Sequence, residues 1–134
     1  MSDSDESPEP EFGWSDFLEL ARELGERDDE ASLRSAVSRA YYATFNTARQ
    51  VLDHLDPDYS MMRSRDSHQE VWNRVQNLRR RQAKTAHRSG RSLLSKRKVA
   101  DYDFAVDGWP KRTELAVSEA ERAISALSDL LRNT

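Results

Sequence analysis

The chain has 134 residues, no cysteine, four glycines and a formal net charge of −3, with 34% charged residues. That length supports one buried core. The missing cysteines exclude disulfides and thiolate chemistry. The most apolar stretches fall far short of the roughly 20 residues a transmembrane helix needs, so no membrane association is expected.

Residues 1–12 are rich in Ser, Asp, Glu and Pro. They lack the basic and apolar regions of a secretory signal, and a cytoplasmic location is the default expectation. So polar a segment buries too little surface to offset its ordering entropy, and it is expected to be a disordered tail. The folded domain is then 13–134. A first helix is predicted from about Ser15 to Leu24, where Phe17, Leu18, Ala21 and Leu24 share a face and Gly25 stops it. A second helix is predicted from about Glu30 to Leu55, free of Gly and Pro and ended by Asp56-Pro57-Asp58. Met61–Ser67 reads as a loop. A third helix is expected from about Ser67 to Arg81, and Lys84–Gly90 reads as a polar connection. A fourth helix is expected from Arg91 to Tyr102. Asp107-Gly108-Trp109-Pro110 marks a turn, with Pro110 opening a last helix that runs to about Leu131. Nothing alternates with period two over a useful length. The expected fold is all-α, an antiparallel bundle of four to five helices.

The charge is unevenly placed. Val71–Ala100 contains ten Lys and Arg and no acid, which leaves eleven basic against twenty-four acidic residues elsewhere. One reading is a solvated basic face that pairs with the acidic remainder or with a partner. The other is a site for a polyanion such as RNA or a nucleotide phosphate. Arginine predominates in the block, and its planar fork suits bidentate phosphate contacts.

Candidate chemistry is sparse. There is no GxSxG and no glycine-rich phosphate loop, and His54, His68 and His87 show no metal-ligand pairing, so neither a metal nor a cofactor is expected. A metal-free ribonuclease needs a base and a phosphate-binding cation. His87, with Arg80 or Arg81, is the most interesting pairing for that chemistry. On the second helix, Tyr41 follows the apolar stripe, whereas Arg39, Tyr42, Asn46 and Arg49 form another strip, suited to a dimer or ligand contact.

Ser38-Arg39-Ala40-Tyr41-Tyr42-Ala43-Thr44-Phe45, followed by Ala48-Arg49, resembles the second-helix signature of the HEPN domain, the helical domain of higher-eukaryote and prokaryote nucleotide-binding proteins. Ser67-His68 opens the third helix, where relatives often carry a His. Arg97-Lys98-Val99-Ala100-Asp101-Tyr102-Asp103 resembles a segment of small stand-alone members. The resemblance spans roughly residues 14 to 131. It implies an antiparallel bundle, a homodimer, and a nucleotidyltransferase-fold partner in a toxin–antitoxin pair. Active members of the family are metal-independent ribonucleases with an Arg–x4–6–His motif, often extended to His-x-Tyr. Arg97 matches the arginine, but Tyr102 stands where the His would be and Phe104 where the Tyr would be. The resemblance therefore implies nucleotide or RNA binding without catalysis, with Arg97, Tyr102, Arg39, Tyr42 and His68 as ligand-binding candidates. A ribonuclease toxin using an Arg/His pair and a structural protein-interaction module are the alternatives.

Overall fold

The computed structural model describes residues 12–62, 65 and 67–133. The expected tail lies outside the described residues, apart from Phe12. Five helices pack together: α1 (Ser15–Gly25), α2 (Glu30–Leu55), α3 (His68–Gln76), α4 (Arg81–Tyr102) and α5 (Trp109–Arg132). The all-α expectation holds, and there is no strand among the described residues.

Helix α2 is the spine. Its 26 residues extend about 39 Å at 1.5 Å per residue. Asp29 caps it by accepting the Ser32 amide at 2.9 Å. Every other helix packs against it, so it buries residues on nearly all sides, including Ala36, Ala40, Ala43 and Ala48. Those small side chains let neighbouring helices approach. Two of its buried polar side chains are satisfied within the helix: Thr44 Oγ1 donates to the Ala40 carbonyl at 3.0 Å and Asn46 Nδ2 to the Tyr42 carbonyl at 3.0 Å. Thr113 on α5 crosses to the Leu33 carbonyl at 2.9 Å, which fixes the α2–α5 pairing.

The third and fourth helices divide differently from the sequence expectation. Ser67 caps α3 by accepting the Glu70 amide at 3.1 Å, the Ser-x-x-Glu arrangement of a capping box. Yet α3 stops at Gln76, and α4 begins at Arg81. The break is made by Arg79, whose φ of 58° lies in the left-handed region. No Gly, Asn or Pro at that position announces the reversal. The expected connection at Lys84–Gly90 is instead helix. Gly90 suggests a breaker, but it is retained for contact: a Cβ there would come within 2.5 Å of the Trp72 ring, which is fully buried. Glycine at this point lets α4 lie directly on α3.

At the other end of α4, Arg34 from α2 takes up carbonyls that the helix leaves unpaired. Its Nη1 donates to Ala100 at 3.0 Å and Asp103 at 2.7 Å, and the guanidinium lies 4.4 Å from the Trp109 ring. Gly108, at φ 78°, then turns the chain into α5, with Trp109 and Pro110 in its first turn.

Candidate functional site

Residues 38–45 of α2, the start of α3 and the end of α4 meet around Tyr41. This residue is fully buried, and its hydroxyl joins α2 to α3 through two partners. Trp72 Nε1 donates to it at 3.2 Å, and His68 Nδ1 lies 2.7 Å away. Indole nitrogen can only donate, so it occupies a lone pair of the tyrosine oxygen and leaves the hydroxyl proton free to point at His68 Nδ1. A neutral imidazole that accepts at Nδ1 carries its own proton on Nε2. Burial pushes the Tyr41 hydroxyl well above the ordinary tyrosine range, so it stays protonated. The His68 ring stacks on Phe45 with centroids 4.4 Å apart. Burial, followed by the charges of Arg97, Lys98 and Arg49, holds the His68 pKa below its ordinary value.

Arg97 enters the same cluster from α4. It is only 8% exposed, and its guanidinium carbon lies 5.7, 5.6 and 5.9 Å from the rings of Tyr41, Tyr42 and Tyr102. Its nearest acid is Asp101, one turn on, with Nη1 to Oδ2 at 3.6 Å, too long for a good hydrogen bond. Ser38 donates to that same carboxylate at 3.4 Å. Arg97 Nε is buried and has no partner. Desolvating a cation without full hydrogen bonding is costly, and an anion at this point would supply the missing acceptor. Arg97 and His68 open on a cleft of about 300 Å³ lined also by Ser67, Gln69, Arg91, Leu94, Ser95 and Lys98. The lining contains no carboxylate.

The remaining sequence candidates fall in several places. Tyr42 is partly buried and lies near two cations, with the Arg39 and Arg97 guanidinium carbons 5.4 and 5.6 Å from its ring. Arg39 also packs 5.0 Å from the Phe17 ring on α1. Asn46, from the same strip, is buried, and Arg49 is tied to Tyr59 Oη at 3.1 Å and the Met61 carbonyl at 3.2 Å. Tyr102 is 74% exposed and Phe104 97%.

His87 lies elsewhere, in an open cleft of about 910 Å³ between α3 and α4, with Gln76, Asn77, Arg79, Lys84, Arg88 and Arg91. Arg80 is the exposed N-cap of α4. Arg81 faces α5, in a groove with Glu121, Arg122 and Asp129. On a helix, Arg81 and His87 are about 120° apart around the axis and about 9 Å apart along it. The fold does not bring the Arg80/Arg81–His87 pair together, whereas it does bring together Arg97 and His68, 29 residues apart in sequence. The residues that sequence reasoning missed are Tyr41 as a hydrogen-bond hub and Arg91 and Lys98 as cleft residues. Tyr41 sits on the apolar stripe, so nothing in the sequence distinguishes it from an ordinary core aromatic.

Among the described residues, no group of three or more His, Cys, Asp or Glu is placed to hold a metal. Among the same residues, no helix is long and apolar enough to cross a membrane. Among the described residues, the fold and the cluster define a five-helix bundle with a basic cleft beside the buried Tyr41. No protein-family model, curated protein or solved structure matches the chain.

Proposed function

We propose that the chain is a HEPN-type protein that binds RNA or a nucleotide through a phosphate held at the Arg97–His68 cleft, and does not cleave it. The observation that carries this reading is the buried Arg97, with Nε unpartnered and only a long ion pair to Asp101, beside a cleft free of carboxylates. A guanidinium with unused donors, an imidazole Nε2–H and the nearby Lys98 and Arg91 are complementary to phosphate oxygens. The HEPN-like motif of α2 supplies Tyr41 and Tyr42 to the same cluster. With that resemblance comes a homodimer, working beside a nucleotidyltransferase-fold partner in a toxin–antitoxin pair.

Metal-independent ribonuclease action is the second reading, because His68 and Arg97 share one cleft. The hydrogen-bond chain from Trp72 through Tyr41 speaks against it. It engages the lone pair of His68 at Nδ1 and leaves a proton on Nε2, so the ring offers the cleft a donor where a general base needs an acceptor. Tyr102, in place of the family's His, supplies a phenol hydroxyl and lacks the imidazole nitrogen that would take the proton.

The test is titration of a labelled single-stranded RNA at about 50 and 200 mM salt, with wild type, Arg97→Gln and His68→Gln. Wild type is expected to bind more weakly at the higher salt, and Arg97→Gln to lose about tenfold or more in affinity. Absence of salt-sensitive binding in wild type refutes the proposal. Metal-free cleavage of RNA by wild type, abolished in His68→Ala or His87→Ala, would replace it with the ribonuclease reading.

A further inference from the structure

Helix α4 carries more than the end of one cleft. Lys84, Arg88, Arg91, Ser95, Lys98 and Tyr102 follow each other at three- and four-residue spacing, and all six are exposed. At 100° per residue they lie within about 40° of one line along the helix. Lys84 to Lys98 spans about 21 Å, and no acid interrupts the stretch, since the first carboxylate on α4 is Asp101. Arg91 lines both the Arg97–His68 cleft and the His87 cleft, so the two adjoin at this side chain. Neither lining contains an acid, whereas the clefts along α5 include Glu26, Glu114 and Glu121, Asp107, or Glu121 and Asp129.

A second observation marks the same two clefts. Among the described residues, the buried side-chain nitrogens without a hydrogen-bond partner are Arg97 Nε and His87 Nε2. Each belongs to one of the two acid-free clefts. Buried polar atoms are normally paired, and both missing partners fall at clefts that border the cationic face.

We infer that this face of α4 is a track for a single-stranded polynucleotide about six nucleotides long, with one phosphate subsite at Arg97–His68, another at His87–Arg88, and Arg91 between them. This rests on the phosphate reading of the Arg97 cleft and extends it from a single phosphate to a strand. The length follows from about 21 Å of cationic face and a rise of roughly 3.4 Å per stacked nucleotide. At the end of the track Tyr102 is 74% exposed, on the same line as the cations, and its ring lies 5.9 Å from the Arg97 guanidinium. An exposed ring beside a row of cations offers a base a stacking surface, which an acidic peptide would leave unused. Ribose and deoxyribose strands share this backbone chemistry.

The experiment measures anisotropy of end-labelled oligouridylates and oligodeoxythymidylates from about two to about nine nucleotides. It uses the full chain, Lys84→Ala/Arg88→Ala, Tyr102→Ala and Arg97→Gln. All but Arg97 are exposed, so the first two variants leave the core intact. Wild-type affinity is expected to rise with length and level off near about six nucleotides, with a log–log salt slope of about −3 for four phosphates. Lys84→Ala/Arg88→Ala should bind the hexamer about tenfold more weakly with a slope shallower by about 1.4, and bind the dinucleotide as wild type does. Tyr102→Ala should lose about tenfold for the longer strands. A preference for uridylates identifies RNA as the source of the strand, and equal binding identifies the backbone alone; both agree with the track. Binding that needs Arg97 but ignores length and the double substitution overturns the track and spares the Arg97 site. Absence of salt-sensitive binding at any length overturns both. A polyglutamate peptide that binds as tightly as the hexamer also overturns the track, in favour of an acidic protein partner.

Discussion

Replacing Tyr41 by Phe removes one oxygen from the centre of the molecule and tests the hub directly. Tyr41 and Trp72 are both fully buried, so Trp72 Nε1–H, which donates to Tyr41 at 3.2 Å, is left with no acceptor and no access to water. A buried donor stranded in this way costs about 1–3 kcal/mol. His68 Nδ1 also loses its 2.7 Å partner, but the partly exposed ring recovers part of that from solvent, adding about 0.5–1 kcal/mol. The ring itself remains, and its packing against Phe45 is unchanged. The expected loss is therefore about 1.5–4 kcal/mol in urea unfolding, at constant m-value. In the NMR spectrum, the Trp72 indole proton should move to the position of a donor without an acceptor. Tyr42→Phe is the control: its ring is only partly buried, and a change within about 0.5 kcal/mol is expected. If Tyr41→Phe matches Tyr42→Phe in stability, the hub does not hold α2 and α3 together and the tautomer assigned to His68 loses its basis.

Gly90→Ala sets helix propensity against contact. Alanine gains up to about 1 kcal/mol over glycine inside an exposed helix, but here its Cβ would lie 2.5 Å from the buried Trp72 ring, and overpacking of about 1–3 kcal/mol should win; an equal or higher unfolding midpoint would refute the close approach of α4 to α3. A pH dependence follows from the histidines. Burial comes first, joined by Arg97, Lys98 and Arg49 for His68 and by Arg91 for His87, and it holds both pKa values below 6.5. The unfolded chain takes up protons before the folded one, so this stability is complete above about pH 6.5 and is lost as pH falls through the lower folded values. Asp29, held below 3.8 by the Ser32 amide, acts only in a more acidic range. Urea midpoints should fall from about pH 7 to about pH 5, less steeply in His68→Gln, and a flat profile would contradict the buried, neutral state of these rings.

Much of this bundle was legible in the sequence because helix formation is local. The unbroken Glu30–Leu55 stripe, the stop at Asp56-Pro57, and Gly108 and Pro110 before the last helix each act within a few residues, and these elements form where that chemistry puts them. The basic block was equally legible, since charge is counted from composition. The boundary between α3 and α4 was not. Arg79 takes a left-handed φ without a residue type that signals it, and Gly90 is explained only by the Trp72 ring across the helix interface. The site shows the same division. Periodicity marks Tyr41 as buried and Arg97 as cationic, but it cannot tell that His68 and Arg97 open on one cleft, or that His87 and Arg81 face different grooves. Local propensity and composition determine which helices exist and what charge they carry. Packing determines which faces meet, and so which arginine loses its water and is left with a donor that has no acceptor.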